Sequence, residues 1–362
     1  MQEVDVLIVG AGPAGSTTAR YCAGKDIDVL MIDRRKEIGY PVQCGEFLPD
    51  TKEMHDIFPR TLDLKELFNV DDSVIAGRAE AVDMISPGGR AYRCEFTGRT
   101  LDRRSFDKYL VNLACEKGAR LLTETSFLGF KDGVATTTIG DVRAKIIVGA
   151  DGPNSRTARE AGLKKPSLNY PAVTCQAKGH FEPVVKMHFG PLAPGGYAWV
   201  IPKRSGANIG IGFNPNVLKD RPSTLFRRFV EQLGVESYDG VTMGFVPTSG
   251  PVEQTVKGNV LLVGDSGGFP MATNGGGIPT AMIAGRFAGQ VIRGNLKEGL
   301  PLFEYETRWR ACMDLNLRNA LRTKRMGDVV FPYEHVLGLT MFLLGRVGLS
   351  RAIRCKKVFG VF

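Results

Sequence analysis

The stretch Val4-Asp5-Val6-Leu7-Ile8-Val9-Gly10-Ala11-Gly12-Pro13-Ala14-Gly15 decides the fold of this chain. Its apolar run predicts a buried strand, and GxGxxG then turns the chain into a helix of small residues, Ser16 to Cys22. Gly10 permits the tight turn, and Gly12 lets the backbone approach a pyrophosphate. Gly15, beside Ala14, lets the helix pack closely on the strand. A phosphate at that helix N-terminus meets free N–H groups and the positive end of the dipole. A second apolar run, Val29-Leu30-Met31-Ile32, delivers Asp33 eighteen residues after Gly15, where a carboxylate accepts from a ribose hydroxyl. Arg34, next in sequence, joins the cofactor-binding candidates. The glycines alone would also fit an ordinary turn; strand, helix and acid in register predict a bound dinucleotide.

Two later stretches narrow the cofactor. Lys145-Ile146-Ile147-Val148-Gly149-Ala150-Asp151-Gly152 and Asn259-Val260-Leu261-Leu262-Val263-Gly264-Asp265 both read as buried strands ending in an acid and a glycine. After the second, Gly275-Gly276-Gly277-Ile278 opens another small-residue helix. Two such elements returning to one sheet resemble the FAD domain of glutathione-reductase-like flavoproteins more than a plain NAD dehydrogenase. That resemblance implies FAD, with Asp265 on the ribityl chain and Asp151 at the cofactor. It also implies a glycine-led helix aimed at the flavin pyrimidine, where its dipole favours the charge of reduced flavin. The alternative for Asp151 and Asp265 is that each is a helix N-cap.

Composition excludes several classes. With 43% apolar and 23% charged residues over 362 positions, the chain is globular and long enough for two or three domains. Asp5 in the first apolar run and the lack of a cleavage site argue against a signal peptide. Seven cysteines (22, 44, 94, 115, 175, 312, 355) are scattered and odd in number, without a CxxC pair. That pattern fits a reducing cytoplasm and no iron–sulfur or zinc cage. The four histidines (55, 180, 188, 335) are dispersed, so no metal site is expected.

The formal charge of +9 is concentrated late: from Leu296 there are 12 Lys/Arg against 6 acids. The tail from Arg346 holds five bases and no acid, interleaved with Val347, Leu349, Ile353, Val358, Phe359 and Phe362. No nucleic-acid recognition motif accompanies it. The tail is read as a peripheral contact with the anionic inner face of the cell membrane, the alternative being a solvated helix with an apolar inner side. No apolar run reaches spanning length, Val336 to Leu344 being too short.

Periodicity divides the chain into a discontinuous cofactor domain (1–75, 101–160 and 256–295), a β-rich substrate domain built from two insertions (76–100 and 161–255) and a helical C-terminal region (296–362). The fold class is α/β: a glutathione-reductase-like FAD-binding Rossmann domain with an inserted antiparallel sheet.

Three motifs point to the chemistry. Tyr40-Pro41-Val42-Gln43-Cys44-Gly45-Glu46 follows the ribose-binding acid. Asp102-Arg103 with Phe106-Asp107 forms an acid–arginine cluster. Gly196-Tyr197-Ala198-Trp199-Val200-Ile201-Pro202-Lys203, with Ile209-Gly210-Ile211-Gly212, reads as a strand carrying Tyr197, Trp199 and Ile201 on one face, a turn, and a returning strand.

With these motifs the chain resembles the geranylgeranyl reductase family, which includes the archaeal enzymes that saturate isoprenoid chains of membrane lipids. PVxCG and YxWxxPK…GxG carry the resemblance, over at least residues 1–290. The chain departs from the family in having Ile201 where Phe is usual. The resemblance implies FAD held by the glycine turns, Asp33, Cys44, Gly45, Arg103, Asp151 and Asp265, and a prenyl chain on Tyr197, Trp199, Ile201 and Pro202. The chemistry agrees. An isolated alkene is unpolarised, so recognition rests on dry contact area, at about 25 cal/mol per Å². The cofactor carries the reduction; a proton comes from Cys44, Tyr197 or water, and the Trp199 face tolerates developing positive charge. The alternatives are a small buried thiol for Cys44 and core packing for Trp199. Electrons would come from ferredoxin or NAD(P)H. Two rivals share the fold: a flavin-dependent monooxygenase or halogenase, whose WxWxIP signature Tyr197–Pro202 resembles, and a quinone-linked electron-transfer flavoprotein.

Overall fold

A computed structural model of the chain describes residues 1–358. Val4, Val6, Leu7, Ile8 and Val9 of the strand Gln2–Val9 are all buried, so both faces of the strand are covered, as in a parallel sheet. The first sheet runs Val256–Lys257, Val260–Leu262, Gly140–Gly149, Gln2–Val9, Val29–Ile32, Arg120–Leu122, and the hairpin Phe127–Lys131/Val134–Thr137 adds to Gly140–Gly149. The inner pairings are parallel. Val9 sits opposite both Ile32 and Gly149, and Gly149 opposite Leu262. Gly10, Asp33, Asp151 and Asp265 therefore leave the sheet along one carboxyl edge, where ligands of such sheets bind.

Helix α1 (Pro13–Cys22) starts at that edge, and helix α2 (Ile278–Glu298) lies against it. Their backbones touch. A Cβ on Gly285 would come within 2.6 Å of the Ala14 carbonyl oxygen, and one on Gly289 within 2.5 Å of the Thr18 carbonyl oxygen. Glycine at these positions sets the spacing of the helix pair.

The second sheet runs Tyr238–Pro247, Asn169–Lys178, Gly206–Gly212, Tyr197–Lys203, Val184–His188, Ile75–Ile85, Ala91–Leu101, Phe47–Pro49. Strands from both inserted stretches share it through the parallel pairing of Val184–His188 with Ile75–Ile85. Phe47–Pro49, inside the stretch 1–75, pairs with Ala91–Leu101 and so forms an edge of this second sheet. The returning strand explains its glycines: Trp199 lies opposite Gly210, whose Cβ would fall 2.1 Å from Trp199 Cζ2. Glycine leaves the space the indole occupies.

Helices α3 (Leu315–Val330) and α4 (Glu334–Ile353) close the molecule. By length and composition alone α4, with 20 residues, is long and apolar enough to cross a membrane, but part of it is buried against the rest of the molecule. Gly338, Thr340, Gly345 and Ser350 interrupt the apolar run in sequence without ending the helix. Gly345, at φ 56° and ψ −166°, breaks it into two segments. The basic tail is tied down in part. Arg354 pairs with Glu53 at 2.7 Å and Asp56 at 3.1 Å, and Lys356 also pairs with Asp56. Phe359 and Phe362 lie outside the described residues.

Candidate active site

Two helix N-termini converge at the carboxyl edge of the first sheet. Gly12 begins α1 and Gly277 begins α2, and no side chain caps either. The first N–H groups of each helix therefore have no intrahelical acceptor and face outward. Gly264 joins them: a Cβ there would lie 2.7 Å from Ala14 Cβ and 3.6 Å from Ala281 Cβ. At Gly12 the reverse holds, since a Cβ would meet nothing within 4 Å. That opening is where a pyrophosphate would come close to the backbone.

The carboxylates differ in their commitments. Asp33, 8% exposed, accepts from the Ala11 N–H at 3.0 Å and the Arg35 N–H at 2.9 Å, which fixes it beside the glycine turn. Arg34 beside it is exposed. Asp265 stands at the start of the turn Gly264–Gly267, and burial pushes its carboxyl up to about 6 against the opposing pull of Arg103. Asp151 is engaged locally. Ser155 Oγ donates to it at 2.6 Å, and Thr157 donates its N–H at 3.0 Å and its hydroxyl at 3.1 Å, ordering the start of the helix Arg156–Glu160. Arg103 is held by Asp107 through two bonds of 2.7 and 2.8 Å. Two uncapped helix ends, open space at Gly12 and a half-buried carboxyl at Asp265 fit a dinucleotide cofactor.

Beyond this edge lies a cavity of about 510 Å³. Cys44, Gly45, Gly275, Gly276, Gly277 and Ile278 form one end, Tyr197, Trp199 and Ile201 a wall, and α3 and α4 the roof, through Met341, Leu344 and others. Pro202, expected to touch substrate, does not line the cavity. Strand alternation turns it to the opposite face from Trp199 and Ile201. Sequence reasoning also missed half of the aromatic wall. Phe331, Phe189, Tyr197 and Trp199 form a chain with ring centroids 6.0, 5.9 and 6.0 Å apart, joining the roof to the indole. Phe189 and Phe331 have no motif around them, and only the tertiary fold brings them in.

Below the cavity a buried polar network ties the PVxCG loop to the aromatic strand. Glu46, 1% exposed and at φ 64°, accepts from Lys203 at 2.6 Å, Gln176 at 2.9 Å, Asn208 at 2.8 Å and the Arg103 N–H at 3.1 Å. Asn208 also donates to the Cys44 carbonyl at 2.8 Å and accepts from Trp199 Nε1 at 2.7 Å. Charged or amide residues within apolar motifs (Glu46 after Gly45, Lys203 ending the strand, Asn208 in Ala207-Asn208-Ile209) were the available signal. Burial pushes the Cys44 thiol up, with Arg103 opposing, so the thiol keeps its proton near neutrality. Burial likewise raises the Tyr197 phenol, whose hydroxyl donates to the Asn274 carbonyl at 2.5 Å.

Known proteins share this arrangement. The profile of the geranylgeranyl reductase catalytic domain matches residues 170–245, and that of an NAD(P)-binding Rossmann-like domain matches residues 8–69. A solved geranylgeranyl bacteriochlorophyll reductase-like protein from Thermoplasma acidophilum superposes with a TM-score of 0.83 at 28% identity, covering 94% of this chain and 90% of its own. A flavin-dependent brominase, at 18% identity and a TM-score of 0.73, covers 99% of this chain and 95% of its own and shares the fold alone. Digeranylgeranylglycerophospholipid reductase 1 of Methanopyrus kandleri is 36% identical over 85% of this chain and 86% of its own length. The Methanosarcina acetivorans reductase of that name is 34% identical over 84% and 80%. Likeness at that level along most of both chains, on a flavoprotein fold, means that this chain belongs to the digeranylgeranylglycerophospholipid reductase family.

Proposed function

We propose that the protein binds FAD non-covalently and saturates double bonds of geranylgeranyl chains, most directly those on archaeal-type glycerol-ether phospholipids, at the cytoplasmic face of the cell membrane. The observation that carries this reading is the apolar cavity, which begins at the glycine-led N-terminus of α2 and is walled by Tyr197, Trp199 and Ile201. Gly10, Gly12, Ala14, Gly15, Asp33 and Arg34 would hold the adenosine and pyrophosphate half. Asp265, Arg103, Cys44, Gly45 and Gly275–Ile278 would surround the flavin half, with Asp151 contributing through its backbone while its carboxylate orders the adjoining helix. The bound cofactor supplies the two-electron reduction, which no side chain here performs. The division into cofactor, substrate and C-terminal regions belongs to the same proposal, with Phe47–Pro49 assigned to the substrate sheet.

The chain's own residues exclude water, orient the alkene and supply a proton. Tyr197, Trp199 and Ile201 give shape and dry area in place of hydrogen bonds, which an alkene cannot make. The protonated Cys44 thiol is the candidate donor at Sγ. Tyr197 is the weaker one, because its proton is committed to the Asn274 carbonyl. An apolar cavity without chain-specific polar contacts lets the prenyl chain slide between turnovers, so successive bonds are reduced. The chain carries a single GxGxxG, which favours a protein donor such as ferredoxin over NAD(P)H.

The test incubates dithionite-reduced protein anaerobically with digeranylgeranylglyceryl phospholipid and follows lipid mass. A gain of two hydrogens per saturated bond, in several steps and without oxygen, is expected, with FAD released on heating. Unchanged lipid beside turnover of a quinone, or oxygen-dependent attack on an aromatic substrate, would overturn the reading.

A further inference from the structure

Helix α4 is apolar on both sides. Its inner side, Leu337, Met341 and Leu344, roofs the cavity, whereas Val336, Leu339, Phe342, Leu343 and Val347 face solvent. Leu343 is 72% and Val347 75% exposed, and on the adjoining turn of α3 Val329 is 70% exposed, with Tyr333 between the helices at 63%. A helix on the surface of a water-soluble protein presents a polar outer face, and a contiguous apolar patch of this kind marks an interaction site.

Charge decides the partner. Exposed Arg325 and Arg322 stand on α3 one and two turns from Val329, and Arg346 lies between Leu343 and Val347 in sequence. Arg90 places its guanidinium 5.2 Å from the centre of the Phe342 ring. The acids carried by α3 and α4 are Asp328 and Glu334, and Asp328 is already paired with Lys324 at 2.6 Å. An apolar face with a tyrosine and a phenylalanine, rimmed by arginines, has the composition of an element lying in the headgroup layer of an anionic bilayer.

We propose that the outer face of α3 and α4, centred on Leu343 and Val347, docks on an anionic lipid bilayer, so that one helix layer separates the hydrocarbon from the cavity. The choice of a bilayer over another apolar partner rests on the lipid-reductase reading as well as on the arginine rim. The arrangement lets a prenyl chain pass from bilayer to cavity past the segment break at Gly345 without crossing water. It keeps the start of the basic tail, Arg346 and Val347, in the membrane contact and leaves out its end, where Arg354 and Lys356 are paired with Glu53 and Asp56.

The experiment sediments the flavin-loaded full-length protein with equimolar phosphatidylglycerol–phosphatidylcholine vesicles, beside the double variant Leu343→Asp/Val347→Asp. Both positions are exposed and neither lines the cavity, so flavin content and Tm should match the parent. Partition of the variant should fall by roughly tenfold or more, and the parent should bind more weakly to pure phosphatidylcholine vesicles and at high salt. Reduction of prenyl lipid dispersed in detergent should be equal for both, while reduction of vesicle-borne lipid should be lost in the variant. Equal partition of variant and parent, a parent that stays in the supernatant, or a dimer in light scattering that the variant dissociates would overturn the docking proposal. A parent that binds vesicles through this face and reduces no prenyl lipid would instead overturn the proposed function and leave the docking surface standing.

Discussion

At the scale of single residues, Asp265 shows what a half-buried carboxyl costs the fold. Its carboxyl is raised from the ordinary 3.8 to about 6 by burial. The folded protein thus holds that proton more tightly than the unfolded chain does. The associated stability is present below pH 4 or so and is lost as pH rises through about 6. At pH 7 the cofactor-free protein carries the desolvation cost of the ionised group. Asp265→Asn should therefore raise the unfolding free energy of the cofactor-free protein at pH 7 by about 1–2 kcal/mol. The gain should shrink to nothing near pH 4, while flavin retention falls. Denaturant titrations at the two pH values check this; a variant no more stable than the parent at pH 7 would show that the carboxylate is well solvated. Asp33 is held in place differently, by two backbone N–H groups that donate to it.

At the scale of elements, the fold depends on how closely helices and strands approach. Adding a Cβ at Gly285 forces it against the Ala14 carbonyl oxygen at 2.6 Å, which cannot move without shifting α1 and its glycine turn. Gly285→Ala should cost about 1–3 kcal/mol in stability and weaken cofactor binding with it. Gly338→Ala is the control: a Cβ there meets nothing within 4 Å in α4. Helix propensity alone should make that change neutral or stabilising by up to about 1 kcal/mol. If the two substitutions were equally tolerated, the close packing of α1 on α2 would not set the position of the turn.

At the scale of the whole molecule, the Glu46 network joins the loop after the first βαβ unit to three strands of the second sheet. Gln176, Lys203 and Asn208 come from those strands, and Asn208 passes the connection to Trp199. Glu46→Gln removes the anion and leaves the Lys203 ammonium, 18% exposed, without its partner. Loss of about 2–3 kcal/mol is expected, less than for a fully buried pair because Lys203 keeps some solvent. A shift of Trp199 fluorescence should accompany it. Lys203→Met in the same background should recover part of the loss, since the orphaned charge goes with it. Unchanged stability in Glu46→Gln would mean that the two parts are joined by apolar packing alone.

The Rossmann half of the protein was legible as local pattern. GxGxxG, the second strand with Asp33, and the repeated strand-acid-glycine stretches are local patterns, because a tight turn, a close backbone approach and a helix N-terminus each need particular residues at fixed spacing. The aromatic strand was legible for the same reason, its two-residue period putting Tyr197, Trp199 and Ile201 on one face and, by the same rule, Pro202 on the other. Only the tertiary structure decided what comes from afar: Phe189 and Phe331 completing the wall, Gly285 and Gly289 fitting α2 to α1, and the ion pairs that hold the tail. It also decided that the outer apolar face of α4 is exposed, because an apolar helix reads the same in sequence whether its second face meets a core or solvent. Contacts between residues hundreds of positions apart leave no spacing to read, and burial is a property of the assembled molecule.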